Sequence, residues 1–252
     1  MIEPPPRLAR MRFHGPLSDA RAARMVARLG ARVPATVLDL GCGWGELMLD
    51  VLAAVPGARG TGVDVTAEDL ERGRRNAGDR GLAGSVEFVE GSAADHTGEP
   101  ADLVLCLGSS HALSDEQPPH HTAAALRRLR ELVAPGGRVL LGESFWERTP
   151  TPAELDAMWP DASVAEFGDL AGLVRLALDA GFRVEWVETA TFGEWEEFES
   201  AYLADKEVWL AANAGHPEAE RIRGEVDGHR RSFLGGYRRV LGQAYLTLVP
   251  VG

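Results

Sequence analysis

The sequence predicts an α/β fold, a parallel sheet with helices on both faces, and three observations point to it. Short apolar runs alternate with amphipathic stretches from about residue 36 to 190, the pattern of repeated strand–helix–strand units. The first run, V-L-D-L-G-C-G-W-G at 37–45, ends in an acid and then has glycine at every second position before a helix-like segment. The second run, T-G-V-D-V at 61–65, ends in another acid.

Residues 1–17 read as irregular, after which Ser18 caps a helix from Asp19 to about Leu29 with Ala20, Ala23, Met25, Val26 and Leu29 turned inward. The first strand spans about 36–41 and a helix follows from Gly45 to Ala54. The second strand covers 59–64, and the helix from Ala67 to Arg80 stops at Gly81. V-E-F-V at 86–89 forms the third strand, L-V-L-C-L at 103–107 the fourth, and a helix spans about 119–133. Pro135-Gly136-Gly137 turns the chain into a fifth strand at 138–142. A helix from Asp169 to Ala180 ends at Gly181 and leads to a sixth strand at 182–189. Two helices, about 194–213 and 217–235, flank the break Ala214-Gly215-His216-Pro217, and A-Y-L-T-L-V at 244–249 reads as a last strand.

The glycine segment has the grammar of a nucleotide-type cofactor site. Glycine lets a backbone turn sharply and approach a ligand with no Cβ in the way, and a helix start offers unpaired N–H groups. A dinucleotide fingerprint needs G-x-G-x-x-G. Gly41, Gly43 and Gly45 give G-x-G-x-G, and Glu46 occupies the third-glycine position, where a carboxylate would oppose a pyrophosphate. The chain has no G-x-x-x-x-G-K-[ST] run, which excludes a P-loop. Asp64, at a second strand's end, is placed to accept hydrogen bonds from two ribose hydroxyls.

Together these segments resemble the class I S-adenosylmethionine-dependent methyltransferases: V-L-D-L-G-C-G-W-G is similar to their first motif and G-V-D-V at 62–65 to the acidic motif after it. E-G-S-A-A-D at 90–95, A-D-L-V-L-C-L-G at 101–108 and L-V-A-P-G-G-R-V-L-L at 132–141 follow in the family's order. H-G-P-L-S-D at 14–19, G-E-S-F-W-E-R at 142–148, E-W-E-E-F-E at 194–199 and the terminal L-G-Q-A-Y-L are similar to a bacterial subgroup of small-molecule type, a likeness that brings no substrate with it. L-C-L-G-S-S-H at 105–111 loosely resembles the glycine N-methyltransferase type, with Ser109 where Asn is usual.

The resemblance implies a Rossmann-like seven-stranded sheet, parallel except for an antiparallel last strand; the helical insertions after strand 5 and between strands 6 and 7 depart from the family's minimal plan. The chain reads as one domain over 1–252: an N-terminal lid and helix at 1–35, a cofactor-binding core at 36–144, and substrate-cap insertions at 145–168 and 191–241. S-adenosyl-L-methionine is the implied cofactor and S-adenosyl-L-homocysteine its product, with no metal expected. The backbone from Gly41 through Cys42 and Gly43 to Gly45 would face it, with Asp39 near its amino-acid portion. Asp64 would bind the ribose, Val65 would pack on adenine, Ser92 and Ala93 would meet the adenine edge, and Leu107 and Gly108 would line the methionine arm.

Methyl transfer asks for alignment and water exclusion more than for many reactive groups, with a base where the nucleophile carries a proton. The candidates are His111 beyond strand 4, His14 in a segment able to fold over the cofactor, and Glu143 at the end of strand 5. Trp195, Phe198, Tyr202 and Trp209 recur at helical spacing and read as core or as an apolar wall above the methyl group, with Phe145 and Trp146 as the opposing wall.

Across 252 residues, 26 Lys+Arg against 38 Asp+Glu give a net charge of −12, which disfavours a nucleic-acid partner. The Arg groups at 127–130, 221–223, 230–231 and 238–239 are surrounded by acids and read as solvated helix faces. Cys42 and Cys106, the only cysteines, read as reduced packing residues. No apolar stretch nears the roughly 20 residues of a membrane span, and the start, with Pro4-Pro5-Pro6, shows no signal-peptide core. The expectation is a cytoplasmic monomer or homodimer that methylates O, N or C of a small-molecule acceptor. The alternatives are RNA or protein methylation, against which the absence of [DNS]-P-P-[YF] after strand 4 argues, and a protein that binds the cofactor without transfer, as a cyclase or sensor.

Overall fold

The computed structural model describes Pro5 and residues 7–252. Pro4 and Pro6 of the expected irregular start lie outside the described residues. The strands are β1 (Thr36–Leu40), β2 (Arg59–Asp64), β3 (Val86–Glu90), β4 (Ala101–Leu107), β5 (Val133–Trp146), β6 (Phe182–Thr189) and β7 (Leu241–Pro250). The helices are α1 (Asp19–Gly30), α2 (Glu46–Ala54), α3 (Ala67–Asp79), α4 (His121–Leu132), α5 (Pro152–Ala157), α6 (Leu170–Asp179), α7 (Phe192–Ala212) and α8 (Ala219–Arg231).

One seven-stranded sheet runs in the order β3-β2-β1-β4-β5-β7-β6. Its strands pair in parallel except β7, which is antiparallel to both β5 and β6. Central β4 is buried on both sides, which is why its sequence is continuously apolar rather than alternating. Val104 and Cys106 pack with α4 and α6 on one face, while Leu103 and Leu105 pack with α1, α2 and α3 on the other. The chain is thus the methyltransferase-type Rossmann-like sheet that the motifs implied.

Several elements differ from the sequence reading. In α1, Ala20 and Ala23 are exposed, and Arg21 and Ala22 are buried in their place. The turn at Pro135-Gly136-Gly137 is absorbed as a bulge in a longer β5, with the register to β4 shifting between Ala101 and Leu103 and Gly136 at φ +79°. β5 then runs on to Trp146 because β7 stays paired with it as far as Leu241. The second cap helix ends at Arg231 and relaxes into a π-helical turn, Ser232–Tyr237. Gly236 lies there against Met158, whose Cγ would be 2.7 Å from an added Cβ.

The inserted helices, here called the cap, pack in two clusters of their own. α7 and α8 pack through Leu203, Trp209, Leu210, Ile222 and Val226. Below them α5 and the π-helical turn meet through Met158, Phe233 and Tyr237, together with Trp146 and Val240.

A buried ionic knot fastens the cap to the N-terminal helix. Ser18 caps α1 and Thr191 caps α7, the latter in a capping box with Glu194. Glu194 accepts from the Ser18 hydroxyl at 2.6 Å, from Arg21 Nε and Nη2 at 2.9 and 2.7 Å, and from the Thr191 backbone N–H at 2.7 Å. Burial alone would push its carboxyl up, but these donors outweigh it and hold it at about 2. The stabilisation is therefore complete above the ordinary glutamate range and is lost as pH falls toward 2.

Removing one partner leaves a buried charge unanswered. Glu194→Ala should lower the unfolding free energy by about 3–5 kcal/mol, whereas the double change Arg21→Met, Glu194→Leu should recover most of it. Urea unfolding of the single and double variants measures both; a single-variant loss below about 1 kcal/mol would show that the knot is not a principal tie.

Candidate active site

Parallel pairing of β1 with β2 sets Asp39 opposite Gly62 and Leu40 opposite Val63, with Asp64 as the last residue of β2. The chain then turns tightly: the N–H groups of Gly41 and Cys42 both donate to the Val63 carbonyl, at 2.8 and 3.0 Å. Gly41 has φ +66°, and a Cβ there would fall 2.3 Å from the Cβ of Ser109. Ser109 in turn donates its hydroxyl to the Leu40 carbonyl at 2.6 Å. Asp64 is held by two backbone N–H groups, Gly43 to Oδ2 and Thr66 to Oδ1, both at 2.8 Å.

These strand ends form the floor of a cavity of about 480 Å³. Asp39, Gly41, Cys42, Gly43, Asp64, Val65, Ala93, Leu107 and Gly108 line it. His14 and His111 reach it, and so do Trp195 and Phe198 of α7. Val65 is 71% exposed, an apolar shelf beside the Asp64 carboxylate.

Six expected residues lie elsewhere. Gly45 faces away from the cavity: it caps α2 at φ +65° and leaves room for Phe88, 2.8 Å from where its Cβ would be. Ser92 turns its hydroxyl to the Ala94 N–H at 3.2 Å, and Gly91 takes its place in the wall. Glu143 and Phe145 sit with the α4–α6 core because β5 continues past 142 and alternation turns them to that face. Trp146 is 5% exposed and donates its Nε1 proton to the Val164 carbonyl at 3.0 Å. Tyr202 stacks on His229 at 4.6 Å inside the cap.

The same alternation brings in residues that the sequence reading missed. Ser144, Gln243 and Tyr245 form the wall over β5 and β7, with the Ser144 hydroxyl donating to Gln243 Oε1 at 3.2 Å. A Gln in a largely apolar last strand was the one available signal. Trp44 and Phe13 complete the wall beneath the N-terminal segment.

That segment crosses the cavity as a strap. His14 stacks on Trp44 at 5.5 Å, and the Tyr245 hydroxyl donates to the Pro16 carbonyl at 3.0 Å. Arg72 donates to the carbonyls of Leu8 and Met11 while lying 3.9 Å over the Trp44 ring. Arg10 pairs with Asp205 of α7 at 2.7 Å, joining strap to cap.

Electrostatically the floor is acidic and strained. Burial, reinforced by the Asp64 charge, raises the Asp39 carboxyl to about 7. Burial also raises the Cys42 thiol, and it raises that of Cys106 to about 12, so neither is an activated nucleophile. Burial lowers His14, which stays neutral beside the acids. Two carboxylates flanking an apolar shelf fit an adenosyl group bearing a cationic amino-acid arm. Among the described residues no cluster of three or more His, Cys, Asp or Glu could hold a metal, and no helix is long and apolar enough to cross a membrane.

Comparison with known proteins agrees with this chemistry. A methyltransferase-domain family model matches residues 37–137. The uncharacterized protein YjhP of Escherichia coli K12 is 28% identical over 94% of each chain. The trans-aconitate 2-methyltransferase of Methylobacterium nodulans is 30% identical over 89% of this chain and 84% of its own length. A solved S-adenosylmethionine-dependent methyltransferase from Thiobacillus denitrificans, in complex with S-adenosyl-L-homocysteine, superposes with a TM-score of 0.81 at 28% identity over 95% and 94% of the two chains. With a full-length relative at this identity, and with the sheet order and acidic glycine turn of the group, the chain belongs to the class I methyltransferases that use S-adenosyl-L-methionine.

Proposed function

We propose that the protein methylates O, N or C of a small-molecule acceptor held under its cap. The observation that carries this reading is the sharing of a single cavity: the cofactor-side acids and the polar and aromatic groups His111, Ser144, Gln243, Trp195 and Phe198 all line it. Its volume lies in the range of small-molecule sites, and the net charge of −12 disfavours a polyanionic acceptor. The relative named for trans-aconitate supports a small acceptor as well.

When bound, the cofactor supplies an electrophilic methyl group on a sulfonium. The chain's own residues do the rest. Asp64, preset by two backbone donors, accepts from the ribose hydroxyls, and Val65 and Ala93 offer apolar surface to the adenine. Asp39 answers the ammonium of the amino-acid arm. Trp195 and Phe198 keep water from the acceptor, and alignment of this kind contributes roughly 7–11 kcal/mol to such reactions. His111, on the turn after β4, takes the acceptor's proton.

Two outcomes test the reading. Isothermal titration should show S-adenosyl-L-homocysteine binding, weakened about 100-fold by Asp64→Ala through loss of two charge-assisted hydrogen bonds. Because Asp39 holds its proton up to about 7 in the free protein, affinity should climb about tenfold per pH unit below 7 and level off above it. In Asp39→Asn it should be flat. No binding by the wild-type protein removes the cofactor reading; a pH-independent affinity removes the role of Asp39.

His111→Ala should lower kcat by about 10²–10⁴ on an acceptor that must lose a proton, with homocysteine-product affinity within twofold of wild type. Release of S-adenosyl-L-homocysteine across a panel of phenols, amines and carboxylic acids is the assay. Methylation of bulk RNA or protein, with nothing in the panel turned over, would overturn the small-molecule assignment.

A further inference from the structure

A second cavity of about 160 Å³ lies beside the first, with the Trp195 indole in the walls of both. Its remaining wall includes Glu147 just past β5, Phe192 at the start of α7, and Tyr237, Arg238 and Arg239 on the return to β7. The two arginines differ in kind. Arg238 donates to Glu196 at 2.7 Å, so its charge is answered. Arg239 has no carboxylate partner among the described residues; its guanidinium rests 4.0 Å over the Phe192 ring.

The backbone holds Arg239 in an unusual place. Its φ is +61°, in the left-handed region where glycine costs least. The turn around it is fixed by Arg238 N–H donating to the Phe233 carbonyl at 2.9 Å and Val240 N–H donating to the Tyr237 carbonyl at 3.0 Å. Strain of this sort at a cavity wall is a signature of a site residue.

Building on the methyltransferase reading above, we propose that the acceptor carries a carboxylate on an apolar body and that this second chamber binds the carboxylate through Arg239. The volume suits a carboxylate with a few methylenes, and Phe192, Phe233 and Leu241 supply the apolar contact. One unanswered cation matches a single negative charge, and the exposed Glu147 at the wall selects against a dianion such as a phosphate monoester. Trp195 then separates the reacting end of the acceptor from its anchored end. Arg239 is a binding residue in this arrangement, not a catalytic one.

The test uses the full chain saturated with S-adenosyl-L-homocysteine, whose own titration reports the cofactor reading separately. 4-Phenylbutyrate and its amide, equal in shape and different in charge, are titrated at pH 7.5. The acid should bind at least tenfold more tightly than the amide. Arg239→Gln should bring the acid down to the amide's affinity, and Arg239→Lys should keep part of the difference. Arg239→Gly, which relieves the left-handed backbone, should abolish the preference without lowering the melting temperature. Equal binding of acid and amide, no binding of either, an acid affinity within twofold of wild type in Arg239→Gln, or a lowered melting temperature with the preference intact would each overturn the proposal, even where the homocysteine product binds normally.

Discussion

Two carboxylates without a protein cation between them organise the ligand-binding end of the sheet. Asp39 and Asp64 end up close because β1 and β2 pair in parallel register and both terminate at the same level. The chain turns tightly at Gly41, and Ser109 presses against that turn so closely that no side chain fits. Asp64 keeps its place through two backbone N–H groups. Asp39 lacks such donors, and burial beside Asp64 leaves it holding a proton near neutrality. The floor is therefore poised for a cation with hydroxyls, and folding alone does not satisfy it.

The roof has the opposite character, for it is tied down by ions within the protein. Glu194 gathers the start of α1, the start of α7 and Arg21 into one buried knot. Arg10 to Asp205 and Arg72 to the strap carbonyls extend the same fastening across the cavity. These contacts join residues far apart in sequence, so strap and cap form one cover. Buried ion pairs contribute modestly to net stability but strongly to a unique arrangement when their partners are all present. A cover fixed in this way suits a site that must exclude water around a charged donor.

The floor was legible in the sequence and the roof only in part: Trp195 and Phe198 were singled out, but not the residues that fasten them. The glycine turn and the strand-end acids carry local backbone requirements, which residue types reveal directly. The expectation that Phe145 and Trp146 form a wall failed because β5 continues under the pairing of β7, a contact set by residues about a hundred positions later. Glu143 turned away from the cavity, and Ser144 turned toward it, for the same reason: a strand extended by a few residues follows two-residue alternation, where a loop would not. Gly45 was misassigned because capping and ligand approach both favour glycine. Tyr202 joined Trp195 and Phe198 on one helical stripe, yet His229 from α8 stacks on it and withdraws it into the cap. Helical spacing marks a shared face, but the partner of each part of that face is fixed by tertiary packing.

Asp39 and Glu143 show how position decides the fate of a buried acid. Burial raises both to about 7. Asp39 borders the cavity, so an incoming ammonium can exchange for its proton, and binding is coupled to pH. Glu143 sits on the other face of the sheet, where the Ser144 N–H at 3.0 Å and the Ser110 hydroxyl hold it down and its Oε2 has no partner. It does not line the cavity, and burial favours its protonated form. Its hydrogen bond with the Ser110 hydroxyl ties it to the turn after β4 instead. The structure thus separates an acid that answers the ligand from one that supports the loop, although the sequence offers both at strand ends in nearly the same guise.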